Sequence, residues 1–273
     1  MTLFEALTAA KQKIDRLDAR LLLQYATGCT HTDLLARPET LVIEPARAQF
    51  AEWVDRRAAG EPLAYLVGEA EFRGRVFQVS PAVLIPRPET EVLIDLAVEN
   101  LSALPSPKVL DLGTGSGIVA ISLALEYPAA EMVAVDVSKD AIFVARNNAG
   151  RLAAKVDFRQ GDWFAPVIGE RFDLIVSNPP YIAEGDPHLE LNGLPFEPRL
   201  ALTDQEPSGD GLACIRHIVA HAAAHLKPGG WLLFEHGYDQ GPASRNLLTA
   251  AGFKAAFTHP DLAGIARVSG AYL

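Results

Sequence analysis

Asn178-Pro179-Pro180-Tyr181 is the stretch whose residue types most directly suggest chemistry. The Asn178 side-chain oxygen can accept one N–H, and a neighbouring prolyl carbonyl, with Pro179 the candidate, can accept a second. Tyr181 offers a ring against which a flat group can stack. Such a set could hold a planar nitrogen with both hydrogens engaged and its lone pair exposed. Upstream, Phe172, Leu174, Ile175 and Val176 form the short apolar run of a strand covered on both faces. Two prolines end it, since neither can donate to a ladder, and Pro179 biases Asn178 towards extended backbone. The carboxamide and the ring therefore stand on a stiff loop at the carboxyl end of a strand, where open α/β sheets bind ligands. A proline-terminated strand with nothing bound is the competing reading, and local grammar alone favours it.

The elements around this stretch decide the matter. From Pro107 the chain alternates strand and helix, the sign of a parallel sheet with helices on both faces. Lys108–Leu112 reads as a strand running into a turn that contains Gly113, Thr114, Gly115, Ser116 and Gly117, with a helix over Ile118–Glu126. Dinucleotide folds use G-x-G-x-x-G to seat a pyrophosphate. Here the spacing is D-x-G-x-G-x-G with Asp111 in front, which suits a ligand bearing an amine or a sulfonium. The next strand ends in Asp136, close to the spacing of a carboxylate that grips a ribose diol. A third leads to Asp162 and Trp163, an acid that can accept from an adenine amino group and a ring that can pack on it. Each alone reads more readily as a strand-end turn. Three at successive strand ends leave that account uncomfortable.

At 273 residues, with 49% hydrophobic and 21% charged, the chain has ordinary globular composition. The formal charge of −10 argues against a large phosphate-binding surface. Cys29 and Cys214 lie far apart without a second pair, so neither a zinc site nor a disulfide framework is indicated. No apolar run reaches membrane-spanning length, and the start lacks signal-peptide order, so a cytoplasmic location is expected. His217, His221 and His225 recur every four residues, the spacing of ligands on one helical face. Without cysteine partners or a fourth ligand, a solvated face is preferred to a metal site.

Residues 2–26 carry apolar side chains at helical steps between a candidate N-cap, Thr2, and a candidate stop, Gly28. Further helices are expected around Thr32–Leu35 and Pro45–Arg57, making a small all-α bundle. Two short strands around Gly74 follow, then the stretch Val83–Glu91, in which Arg87 and Glu89 form either a surface ion pair or the mouth of a site. The expected division is a helical recognition domain over 1–66, a β-hairpin linker over 67–88, and a catalytic domain over 89–273. After the fourth strand, Asp186-Pro187-His188 and Phe196-Glu197-Pro198 are expected to wall a substrate cleft. A fifth strand at Trp231–Glu235 and two terminal strands, Gly252–Thr258 and Ile265–Tyr272, complete a seven-stranded sheet with an antiparallel edge pair.

This order of motifs resembles the class I S-adenosylmethionine-dependent methyltransferases, whose Rossmann-like sheet carries a glycine turn, a ribose acid, an adenine acid and then (N/D)PP(Y/F). EPLAYLVGEAEFRGRVFQVSPAVLIPRPETE, DLGTGSGIVA, SNPPYI and FEPRLAL together resemble the peptide chain release factor glutamine methyltransferases, loosely before residue 56 and closely from there to about 236. The resemblance implies transfer of a methyl group from S-adenosylmethionine to the N5 amide nitrogen of a glutamine in a Gly-Gly-Gln loop of a release factor, leaving S-adenosylhomocysteine. It implies cofactor contacts at Asp111, Gly113, Thr114, Gly115, Ser116, Gly117, Asp136, Asp162, Trp163 and Asn178. Substrate contacts are implied at Asn178, Pro179, Pro180 and Tyr181, with Arg87, Glu89 and Glu197 around them. No metal, nucleic acid or membrane is expected, and a monomer is. A ribosomal-protein glutamine methyltransferase and a nucleic-acid N6-adenine methyltransferase stay open as alternatives, because the tetrapeptide would equally suit an exocyclic amine.

Overall fold

The computed structural model describes residues 1–207 and 209–273, which form two compact units. The first comprises Met1–Glu69 with Glu190–Phe196, the second Ala70–Leu189 with Glu197–Leu273. In the first unit lie α1 (Leu3–Ala10), α2 (Arg16–Thr27), α3 (His31–Ala36), α4 (Ala46–Ala58) and α5 (Leu63–Val67). Thr2 and Glu5 make a reciprocal capping box at the start of α1, and Gly28 ends α2 in the left-handed conformation. The periodic stretch between these two caps is not one helix, because the chain breaks after Ala10 and restarts with Asp15 as a new N-cap. Leu3, Ala6, Leu22, Leu23, Phe50 and Val54 converge to form the bundle's core. The five-residue α5, between Pro62 and Gly68, has too few residues to show a period and stands where the sequence suggested only turns.

The second unit opens with the hairpin of β1 (Glu69–Phe72) and β2 (Arg75–Gln78), turning at Arg73 and Gly74, both at positive φ. The Arg73 guanidinium donates to Glu126 and Asp95. There follow α6 (Thr90–Leu101), β3 (Lys108–Leu112), α7 (Ile118–Glu126), β4 (Glu131–Asp136), α8 (Lys139–Leu152), β5 (Asp157–Gln160), β6 (Phe172–Ser177), β7 (Ile182–Glu184), α9 (Arg199–Leu202), β8 (Thr203–Pro207), α10 (Ala213–His225), β9 (Leu226–Glu235), α11 (Gly241–Ala250), β10 (Lys254–Pro260) and β11 (Ala266–Tyr272).

Seven strands pair in the order β10-β11-β9-β6-β3-β4-β5. All are parallel except β11, which runs antiparallel to both neighbours and is inserted between β9 and β10. The final strand therefore sits one place in from the sheet edge.

Alternation along the central strands builds two cores. Val109, Leu174, Val176 and Leu233 face α6, α7 and α8, whereas Leu110, Leu112, Ile175, Leu232 and Phe234 face α10 and α11. Burial on both faces explains the nearly continuous apolar runs of these strands. Their carboxyl ends, with Asp111, Asp136, Gln160 and Ser177, lie at one margin of the sheet and position the site. No helix among the described residues is long and apolar enough to cross a membrane.

Candidate active site

A cavity of about 360 Å³ opens at that margin. Its lining includes Asp111, Gly113, Thr114, Gly115, Ser116, Asp136, Asp162, Trp163, Asn178 and Pro180. Four aspartates, Asp111, Asp136, Asp162 and Asp204, contribute to it, and no lysine, arginine or histidine does among the described residues. Such a cavity is within the usual size for a small-molecule site. Its electrostatics favour a cationic guest over a phosphate.

The glycine turn is held from within. Asp111, fully buried, accepts from the Thr114 hydroxyl at 2.7 Å and from the Ala120 N–H at 3.2 Å, which ties the strand end to the first turn of α7. Burial pushes its carboxyl up to about 7, against the pull of those hydrogen bonds. Asp136 is also raised by burial, while its oxygens accept from Gly115 N–H at 2.8 Å and Ser138 N–H at 2.9 Å. Gly117 is the residue before α7, at φ +86°, and does not line the cavity. A Cβ there would stand 2.8 Å from Ile121 Cδ1 and 3.2 Å from Ala145 Cβ, so its part is close packing of α7 against α8. Buried Asn148 on α8 donates to the carbonyls of Gln78 and Ser116 and accepts from Gln78 N–H, joining the hairpin to the turn.

Trp163 carries φ +42° and Gln205 φ +57°, a conformation that non-glycine residues seldom adopt, and both line the cavity. Behind Trp163, the imidazoles of α10 are stacked rather than freely solvated. His217 lies 5.9 Å from the Trp163 ring and 4.3 Å from His221, and His225 stacks on Phe164 at 4.7 Å. Only His221 of the three is exposed. The solvated face expected for this helix is thus mostly a packed aromatic seam.

At the end of β6, Asn178 faces the cavity through a side chain that is itself anchored. Its Nδ2 donates to Thr90 Oγ1 at 3.1 Å, and that hydroxyl donates to Glu235 Oε2 at 2.7 Å. Glu235 Oε1 accepts from the Tyr181 hydroxyl at 3.0 Å. Burial first, then the Glu235 charge, pushes the Tyr181 phenol up, so it stays protonated as a donor. The Tyr181 carbonyl accepts from Gln240 Nε2 at 2.9 Å. Gly211, at φ +75°, passes so close that a Cβ would fall 2.3 Å from the same carbonyl.

Pro179, Tyr181, Arg87, Glu89 and Glu197 are not part of the cavity lining. Arg87 pairs with Glu197, not with Glu89. The other Glu197 oxygen accepts from Ile85 N–H at 3.0 Å, so this buried carboxylate fastens the 83–88 stretch to the segment before α9. Pro198 of that segment and Leu200 and Ala201 of α9 do form cavity wall, whereas Asp186, Pro187 and His188 do not. Thr90, Glu235 and Gln240 have no distinguishing signal of their own in the sequence. Two hints existed: Thr90 lies inside the Arg87–Glu91 block, and Glu235 is one more acid at a strand end, like Asp111 and Asp136.

A family model described as the PrmC N-terminal domain matches residues 3–68, and one described as the methyltransferase small domain matches residues 90–192. A release factor glutamine methyltransferase of Bordetella pertussis is 48% identical, the alignment covering 100% of each chain. Another, of Burkholderia pseudomallei, is 49% identical over 95% of this chain and 93% of the relative. Among solved structures, a methyltransferase from Pyrococcus furiosus superposes with a TM-score of 0.53 at 17% identity, covering 81% of this chain and 98% of that one, which speaks to the fold. The anchored carboxamide at a cation-favouring cavity agrees with these kinships: the chain belongs to the release factor glutamine methyltransferase family.

Proposed function

We propose that this protein methylates the side-chain amide nitrogen of a glutamine in the Gly-Gly-Gln loop of a peptide chain release factor, with S-adenosylmethionine as the methyl donor. The observation that carries the reading is Asn178, anchored from behind at a cavity lined by aspartates and free of basic side chains among the described residues. The donor set fits that cofactor: a ligand with an ammonium and a sulfonium matches the carboxylates, and Trp163 offers a flat surface for a base. When bound, it supplies an electrophilic methyl group on sulfur. Asp111 and the Gly113–Gly117 turn would hold its amino-acid end, Asp136 its ribose, and Asp162 with Trp163 its adenine.

An amide nitrogen is a poor nucleophile because its lone pair is delocalised into the carbonyl. The work of the protein is therefore to orient it. Asn178 Oδ1 accepts one amide N–H and the Pro179 carbonyl accepts the other, which leaves the lone pair aimed along the transfer axis. Both acceptors bind more strongly as positive charge grows on the nitrogen, so they favour the transition state over the ground state. Tyr181 limits the amide to one plane, with Pro180 stiffening the loop. Arg87 and Glu197 brace the wall beside it, and Glu89 is the residue that precedes α6. The product proton can leave to water, so no general base is required.

In this reading the helical bundle, 1–66, recognises the release factor, the 67–88 stretch links it, and 89–273 performs transfer. The net charge of −10 supports a protein partner over nucleic acid. The protein acts as a monomer in the cytoplasm, where termination takes place. Incubation with a purified release factor and S-adenosylmethionine, followed by peptide mapping by mass spectrometry, tests the assignment. The added methyl should reside on the loop glutamine; a methyl elsewhere on the factor, or none, contradicts it.

A further inference from the structure

We infer that Thr90 and Glu235 form a positioning relay that fixes which edge of the Asn178 carboxamide faces the reacting nitrogen. The inference rests on the proposed function, because it concerns how the acceptor for the substrate amide is presented.

A carboxamide has an acceptor edge and a donor edge of nearly equal shape, and only the acceptor edge can receive an amide N–H. Nothing intrinsic to Asn178 selects between them. Its neighbour does. Glu235 is 1% exposed, and its two oxygens receive the Thr90 and Tyr181 hydroxyls at 2.7 and 3.0 Å. An ionised carboxylate is acceptor-only, so the single proton of Thr90 is committed to it. Thr90 Oγ1 is then left with lone pairs alone towards Asn178, and it can be met only by Nδ2, as found at 3.1 Å. The oxygen of Asn178 is thereby turned to the opposite side.

Protonating Glu235 would allow the series to reverse. The carboxyl would donate to Thr90, Thr90 would donate to the Asn178 oxygen, and the NH2 edge would confront the substrate NH2. The groups facing Glu235 are Thr90 and Glu89 from the start of α6, Tyr181 from the tetrapeptide loop and Arg267 from β11. Burial is the largest influence and pushes the Glu235 carboxyl up, with Glu89 adding to it, while the Thr90 and Tyr181 hydroxyls and Arg267 favour the ionised carboxylate. Each member comes from a different segment, with Thr90 and Glu235 separated by 145 residues, so the relay is a product of the fold.

Thr90→Val keeps the shape and removes the hydroxyl, whereas Thr90→Ser keeps the hydroxyl and loses only the methyl. In the full-length protein, Thr90→Val should lower kcat by about 10- to 100-fold with the calorimetric Kd for S-adenosylmethionine within about 2-fold. Thr90→Ser should stay within about 3-fold of the parent in kcat. A second readout needs no turnover. The Asn178 side-chain NH2 pair, assigned in 1H–15N spectra by its loss in Asn178→Ala, should exchange slowly in the parent and Thr90→Ser and fast in Thr90→Val. Parent-like kcat in Thr90→Val, equal loss in Thr90→Val and Thr90→Ser, or fast exchange in the parent would each overturn the relay. Failure of the parent to methylate a release factor glutamine, with slow exchange preserved, would instead remove the proposed substrate and leave the relay standing.

Discussion

At the scale of single residues, the proposed chemistry rests on one carboxamide and the groups that hold it. In the proposed mechanism Asn178 Oδ1 is an acceptor whose value grows as charge develops, so Asn178→Ala should cut kcat/KM by about 100- to 1000-fold. Cofactor affinity should fall far less, since the aspartates and the glycine turn remain; single-turnover kinetics with parallel calorimetry would separate the two. Tyr181→Phe retains the ring but frees one Glu235 oxygen, buried and without its donor. A loss of about 1–3 kcal/mol in stability is expected from that change, read as a shift in the urea midpoint, with the stacking surface kept. The tetrapeptide was legible in the sequence because its four residues are adjacent. Its supports were not, because Thr90, Glu235 and Gln240 reach it across 54 to 88 residues and have ordinary side chains.

At the scale of elements, strand ends were readable where an acid or a proline followed an apolar run, and β3, β4, β5 and β6 all form where those signals fall. Short or broken elements were not. The interruption between α1 and α2 keeps the helical period on both sides, so the pattern passes through it, and α5 is shorter than two turns. The insertion of β11 between β9 and β10 is likewise a matter of pairing over distance, which a period cannot encode. Gly211, two residues before α10, is where element geometry meets the site. Gly211→Ala would place a methyl against the Tyr181 carbonyl and the Gln240 amide while imposing an αL backbone on alanine. It should therefore destabilise the fold by about 1–3 kcal/mol and slow transfer together, in contrast to Asn178→Ala, which should leave the denaturation midpoint near that of the parent.

For the whole molecule, three carboxyls shifted by burial, Asp111 and Glu235 fully buried and Asp136 half-buried, set a distinctive pH dependence. Asp111, Asp136 and Glu235 are all raised, burial being the largest cause in each case. For Asp111 the shift runs from 3.8 to about 7. Between those values the folded chain holds a proton that the unfolded chain has released, so folding stability falls as pH rises across that window. Asp111→Asn should remove its share, reducing the decline between about pH 4 and pH 7 by on the order of 1–3 kcal/mol in denaturant titrations. A bound cation should recover stability at the upper end, where the carboxylate is ionised, which is the regime in which the cofactor would be held.

In the proposed function the anchored carboxamide serves a protein glutamine. Transfer of labelled methyl from S-adenosylmethionine, measured side by side on a release factor, its loop Gln→Ala variant, ribosomes and DNA, tests it most directly. Label is expected in the release factor alone, abolished by the Gln→Ala change in the factor and cut by about 100- to 1000-fold by Asn178→Ala in the enzyme. Label in nucleic acid, or undiminished label in the Gln→Ala factor, would contradict it.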